Sequence, residues 1–429
     1  MKSEPSSNSY RWWVVGMLWL VCVFNYADRQ AVFAVFPKLE EEFGFSKIQL
    51  GLIGSSFMWV YAAGAPFAGW VADRVSRKKL ILGGCVFWSI VTLLTAHCSK
   101  LWHFVVVRSL EGFGETFYFP ASMSLLSSYH GKRTRSRAMG FHQSGVYIGT
   151  ILGSWVGAIL AATVGWRYGF YLFGGLGTIL ALVLFKILRE PGRVGPEATS
   201  AAVDSPTAAP PLEFRKVFAM IWARPASLFV MLAFVCANFV ATIFLTWTPT
   251  FLVQKFHFKL AAAGLSGTLF IHLASALIVP FGGWLADHLA MKRNGGRLLV
   301  QIGGLMVGSA FVWGVGRANE VSWLMFAMVG FGLCKGFYDA NIFAGLYDFV
   351  QPEARATAAG LMNTVGWGGG AMGPLAVGWY TGGGSEVVQM ERMSQAFGAC
   401  AIIYVIGVLL LWQAFRMERN PVKLVESPV

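Results

Sequence analysis

Apolar runs long enough to cross a bilayer follow one another along this chain, and that feature excludes most folds. "LILGGCVFWSIVTLLTAHC" (80–98) and "AFGACAIIYVIGVLLLWQAF" (396–415) each reach the ~20 residues a membrane helix needs. In hydrocarbon the backbone must satisfy its own hydrogen bonds, so such runs become helices. Composition agrees: 56% of the 429 residues are hydrophobic and 13% charged, where a soluble domain carries ~25% charged. The chain therefore reads as an all-α membrane protein.

Breaks at charges, Pro and Gly divide it into twelve spans, at 12–36, 47–72, 80–98, 101–128, 138–163, 168–188, 226–253, 261–286, 298–316, 321–348, 356–380 and 394–415. The first run ends in "NYADRQ" rather than in small residues, which makes it a retained span and not a cleaved signal. Residues 190–224 include the Pro-, Ala- and Ser-rich "EPGRVGPEATSAAVDSPTAAPPLEFRK", read as a cytoplasmic linker, with an amphipathic stretch near 212–224. It joins an N-terminal half (1–189) to a C-terminal half (225–415), and 416–429 reads as a cytoplasmic tail.

Of the 34 Lys and Arg residues, 23 fall on one side of the spans, 8 on the other and 3 within them. The positive-inside rule then puts both ends of the chain in the cytoplasm, the expected setting being the inner membrane. The net charge of +13 follows from that bias and calls for no nucleic-acid partner. The six Cys are scattered singly, without metal or redox spacing, and read as packing residues. No cofactor is expected, and no metal cluster, nucleophile–base set or phosphate loop points to an enzyme.

The halves echo one another. "FAGWVADRVSRKK" (67–79) recurs as "FGGWLADHLAMKR" (281–293), and "GFG" recurs at 112–114 and 330–332. A duplicated six-helix unit is one of the repeat architectures of membrane carriers. In the repeat, Asp73 and Asp287 end spans two and eight. Arg74 and Arg77 follow the first of them, and Arg135 and Arg137, at the start of span five, are its expected partners from a neighbouring helix. The motif reads as a cytoplasmic latch in each half, against the plainer reading of a topology signal.

Charge inside a span is costly and normally faces a watery cavity or a partner. Here it consists of Asp28 and Arg29 (span one), Arg108, Glu111 and Glu115 (span four), and Lys335 and Asp339 (span ten). Span seven adds a polar stripe, Asn238, Thr242 and Thr246. Spans one, four, seven and ten are the first members of four three-helix units, so they are expected to line one interior. Spans three, six, nine and twelve are expected to face lipid. At ~1.5 Å per residue, Asp28, Arg29 and Arg108 fall near one depth and Glu115 about two turns deeper. An acid beside an arginine can alternate between pairing and taking a proton, and a guanidinium offers a fork to a carboxylate. Asp28 and Glu115 are the expected proton-coupling residues. Arg29, Arg108, Tyr61, Gln143, Asn238, Lys335 and Asn363 are the expected substrate contacts. The plainer reading is mutual neutralisation, of Asp28 by Arg108 or of Lys335 by Asp339. Glu111 is left open between the two.

"GWVADRVSRKK" resembles the signature between helices two and three of the major facilitator superfamily. "NYADR" (25–29), "RSLEGFGETFYFP" (108–120) and "LTWTPTFL" (245–252) resemble its anion:cation symporters, the hexuronate and galactonate transporters and vesicular organic-anion carriers. The resemblance implies two pseudo-symmetric six-helix bundles, working as a monomer by alternating access. It also implies proton-coupled symport of a small organic anion, with coupling at Asp28 and Glu115 and substrate at Arg29. Thr248, Phe251, Glu111 and "KGFYDAN" (335–341) depart from that pattern. The runner-up is a Spinster-like or drug/amphiphile exporter on the same fold; the Spinster-like carriers share the Arg and Gly-x-Gly-Glu pattern of span four.

Overall fold

The computed structural model describes residues 9–130, 134–190, 224–350 and 355–419, without the side chains of 69–70, 72–74, 135–136, 355–357 and 419. Most of the linker, with its amphipathic stretch, and the end of the tail lie outside the described residues. The rest is helical: α1 Tyr10–Ala34, α2 Phe36–Phe43, α3 Lys47–Arg74, α4 Arg77–Thr95, α5 Leu101–Thr116, α6 Tyr118–Tyr129, α7 Arg135–Thr163 and α8 Trp166–Ile187. Then follow α9 Pro225–Phe256, α10 Leu260–Lys292, α11 Gly296–Gly316, α12 Val321–Asp339, α13 Ile342–Tyr347, α14 Arg355–Gly370, α15 Met372–Thr381 and α16 Glu386–Arg419. Among the described residues, nine helices are long and apolar enough to cross a membrane. The charged α1 and the broken pairs α5/α6 and α14/α15 provide the other three crossings.

The helices cluster into two compact units, α1–α8 and α9–α16, except that residues 46–51 count with the second and 258–265 with the first. Exposed apolar strips run along α8 (Leu172, Leu176, Ile179, Val183) and α16 (Ile402, Val405, Ile406, Leu409). Both belong to spans expected to face lipid.

Spans eight and twelve run beyond their expected limits, as α10 and α16; four others stop or break inside theirs, and three of those breaks have a local cause. The first stops at Ala34, because Val35 leaves helical geometry (φ −99°, ψ 2°) and Pro37 starts the separate α2. Glu42 of α2 then accepts hydrogen bonds from Trp166 Nε1 at 2.6 Å and Arg167 Nη2 at 2.7 Å, fastening α2 to the start of α8. Arg167's hydrogen bond holds the Glu42 carboxyl below its ordinary range. That contribution is present above the ordinary carboxylate pKa and is lost on acidification.

Span four breaks at Phe117 between α5 and α6, where Pro120 cannot donate to the carbonyl of residue 116. Span eleven breaks at Ala371, and Pro374 strands the Gly370 carbonyl in the same way. The Thr242 hydroxyl of α9 donates to that carbonyl at 2.6 Å, and Trp247 Nε1 donates to the Pro374 carbonyl at 3.1 Å. Part of the span-seven polar stripe thus repairs a broken neighbour. Thr242→Val keeps the shape and leaves the Gly370 carbonyl unpaired. It is expected to cost ~1–3 kcal/mol, read as a lowered unfolding midpoint in detergent that Thr242→Ser restores. Span ten breaks at Ala340–Asn341 without a proline; Gln301 Nε2 donates to the Asn341 carbonyl at 2.6 Å.

Candidate functional site

The charged residues of the first unit are brought together by glycine. On α7, Gly149 and Gly153 lie so close to α1 that a Cβ would sit 2.4 Å from the Val23 carbonyl oxygen and 2.3 Å from that of Ala27. On α5, a Cβ at Gly112 would sit 2.4 Å from the Phe57 carbonyl oxygen of α3. Small residues allow backbones to approach this closely within a membrane. As a result α1, α3 and α5 bring long side chains into a narrow space.

Asp28 and Arg29 are adjacent on α1 and so point about 100° apart. Asp28 turns to α4, where Thr92 Oγ1 lies 3.4 Å from its Oδ2. Arg29 turns to α3 and α5, and its Nη2 and Nε donate to Glu115 Oε2 at 2.5 and 3.1 Å. Arg108 Nη1 donates to Glu111 Oε2, one turn along the same helix, at 2.6 Å. Phe57 of α3 lies between the two cations, with Arg29 Cζ 4.5 Å and Arg108 Cζ 4.6 Å from its ring centroid. Tyr61 stacks on Phe57 at 5.9 Å and has the Arg29 guanidinium 5.0 Å from its own centroid.

Asp28, Arg29, Arg108, Glu111 and Glu115 are each at most 3% exposed. Glu111, Glu115 and Arg108 all lie within electrostatic reach of Asp28. Three carboxylates and two guanidiniums leave one negative charge in excess. Among the described residues, Asp28 Oδ1, Glu111 Oε1, Glu115 Oε1 and Arg108 Nη2 make no hydrogen bond.

The pairing differs from the depth argument. Arg108 does not neutralise Asp28, because Glu111 on its own helix is nearer to hand. Arg29 reaches Glu115, which the argument from helix rise put two turns deeper, because a guanidinium sits at the end of a long flexible stem. The sequence reading left Glu111 open and missed Phe57 and Thr92. Phe57 had a signal in its position one turn before Tyr61 on α3.

Gln143, a predicted contact in the same unit, does not join this cluster. Gln143 is exposed on α7, while its neighbour His142 is buried against the Tyr118 hydroxyl at 2.7 Å. In the second unit, Lys335 pairs with Asp339 one turn on. Asn238 packs against Gly366 and Gly370, and Asn363 is half-buried on α14.

Of the latch residues, the side chains of Asp73, Arg74 and Arg135 lie outside the described residues, and Arg137 is exposed. The Arg77 backbone N–H donates to Glu190 Oε1 at 2.7 Å, and Ser76 Oγ donates to the other oxygen. Glu190 so caps the start of α4 with a negative charge at the positive end of the helix. Asp287 accepts from Arg297 Nη2 at 2.9 Å, and Arg297 Nη1 reaches Asp348 at 2.5 Å. Glu190, Arg297 and Asp348 were not singled out from sequence.

A family model described as Major Facilitator Superfamily matches residues 18–374 and 273–429. The chain belongs to the major facilitator superfamily. A rice protein named "Probable anion transporter 4, chloroplastic" (Oryza sativa subsp. japonica) is 29% identical over 94% of this chain and 68% of its own length. The "Probable galactarate/D-glucarate transporter GudP" of Escherichia coli (strain K12) is 24% identical over 98% and 97%. The crystal structure of a bacterial homologue of the human lysosomal transporter Spinster, inward-facing and unoccupied, superposes with a TM-score of 0.82 at 20% identity, covering 96% of this chain and 98% of that one. Two pseudo-symmetric six-helix bundles, the fold expected from the sequence, are this superfamily's fold, and the chain is a membrane transporter.

Proposed function

We propose that this superfamily member is a proton-coupled symporter of a small organic anion, a sugar acid or related carboxylate, in the inner membrane with both ends cytoplasmic. The observation that carries this reading is the buried Arg29–Glu115 pair with Asp28 beside it. An unbalanced charge buried in protein is too costly to persist, so a group in this position takes a proton instead. The excess negative charge of the cluster therefore calls for one proton when no substrate is bound.

Asp28 is the acid that holds it, because each of the other two faces a guanidinium. The Thr92 hydroxyl has one proton and spends it on the Trp88 carbonyl at 3.0 Å. Its contact with Asp28 Oδ2, at 3.4 Å, is longer and brings no positive charge to that carboxyl.

Coupling follows from competition for Arg29. A second proton, taken by Glu115, weakens its hold on the guanidinium. The freed fork then accepts the carboxylate of the substrate. Arg108 stays engaged with Glu111 and adds positive field, and Tyr61 borders the place the anion takes. One proton per monovalent anion keeps the buried cluster neutral. The names of the two relatives support an anionic cargo and, for the bacterial one, sugar diacids.

Uptake of labelled D-glucarate or D-galactonate into proteoliposomes tests the proposal. An inward proton gradient is expected to drive accumulation, and Arg29→Gln is expected to remove both binding and uptake. Uptake indifferent to the proton gradient would refute the coupling.

A further inference from the structure

At one end of the second unit, α9 finishes, α11 finishes and α16 begins around a groove of about 770 Å³. Its floor is made of backbone. A Cβ on Gly316 would lie 2.3 Å from the Gly398 nitrogen and 2.6 Å from the Ser394 carbonyl oxygen. Two glycines in contact leave a hollow between helices that are otherwise lined with side chains. The volume is that of a small-molecule site.

Two cations face this hollow. Lys255, half-buried in the last turn of α9, donates to Ser394 Oγ at 2.9 Å. It lies 5.3 and 5.5 Å from the Phe251 and Phe256 ring centroids. Arg317, just past the end of α11, has its guanidinium 5.6 Å from the Trp313 ring centroid. Among the described residues, no carboxylate is within ion-pair distance of either. Glu391 lines the groove too, but one of its oxygens accepts from Gln395 Nε2 at 3.3 Å. A half-buried ammonium beside a guanidinium, without a carboxylate for either, suits an anion.

The rest of the lining says which kind of anion. Trp313, Val387 and Ile402 are 53%, 69% and 64% exposed. On α16 the exposed apolar surface continues from Ile402 to Leu409, away from the cations. A cationic head site that runs into an exposed apolar strip on a membrane helix fits an amphiphile lying in the bilayer. We infer that this groove binds an anionic phospholipid, with its phosphate at Lys255 and Arg317 and an acyl chain along α16. The site uses none of the cluster in the first unit and stands apart from the transport proposal.

The experiment uses the full chain in phosphatidylcholine nanodiscs, titrated with phosphatidylglycerol and read by lipid adducts in native mass spectrometry and by unfolding midpoint. Phosphatidylglycerol is expected to bind and raise the midpoint; inorganic phosphate and further phosphatidylcholine are not. Lys255→Gln and Arg317→Gln are each expected to weaken phosphatidylglycerol about fivefold, since each Lys or Arg near an anionic lipid contributes on that order. Glu391→Gln removes the acid from the lining and is expected to strengthen binding, a gain that misfolding cannot imitate. Equal binding of both lipids, an equal shift with inorganic phosphate, or unchanged affinity in the Lys255→Gln/Arg317→Gln double variant would overturn the inference.

Discussion

Proteoliposomes carrying Asp28→Asn together with Glu115→Gln take up a sugar-acid anion only until the concentrations inside and outside match. Wild-type vesicles, at one proton per monovalent anion, accumulate it about tenfold for each unit of inward pH gradient, since a pH unit and a tenfold concentration ratio are the same free energy. The double variant loses that ratio because neither amide has a proton to exchange, and the anion alone then balances Glu111, Arg29 and Arg108. It keeps exchange of labelled for unlabelled substrate, because Arg29 no longer has a carboxylate partner competing with the anion. Its apparent affinity also loses dependence on pH, whereas wild-type binding tightens on acidification as Glu115 releases Arg29. Gradient-driven accumulation that survives the double variant would move the coupling proton to another group.

Gly153→Val removes most of the folded protein. Its added Cβ falls 2.3 Å from the Ala27 carbonyl oxygen, and a backbone oxygen cannot rotate aside as a side chain can. The helices have to separate instead, which exceeds ordinary overpacking and puts the cost at ~3 kcal/mol or more. The separation also displaces α1 with Asp28 and Arg29, so any folded remainder transports poorly. Gly83→Ala is the control: it lies on α4, in the same unit, with nothing within 4 Å of a Cβ. Equal yields and unfolding midpoints for the two variants would contradict the close α1–α7 approach.

Much of this molecule could be read in the sequence because membrane physics writes in large letters. Hydrocarbon demands long apolar runs, which gave the crossings, and it penalises charge, which made Asp28, Arg29, Arg108 and Glu115 conspicuous. Side-chain partnership was not legible. Helix rise locates a Cα, but Arg29 and Arg108 each carry a charge at the end of a flexible stem, and rotamers decided which carboxylate each would meet. Glu111 is the clearest case, since its i, i+3 relation to Arg108 was visible while its occupation of Arg108 was not. The breaks near Phe117 and Ala371 follow from Pro120 and Pro374 by the rule that proline strands the carbonyl four residues earlier. Arg297 and Asp348 stayed hidden because a terminal Arg or Asp outside a span carries no penalty that would draw notice.

Infrared difference spectroscopy of the purified, substrate-free protein at neutral pH tests the charge balance of the cluster most directly. The account predicts one protonated carboxyl stretch assignable to Asp28. The band is absent in Asp28→Asn, and also in Glu111→Gln, where two acids and two guanidiniums balance without a proton. A wild-type spectrum without that band, or a band that persists in Asp28→Asn, would contradict it.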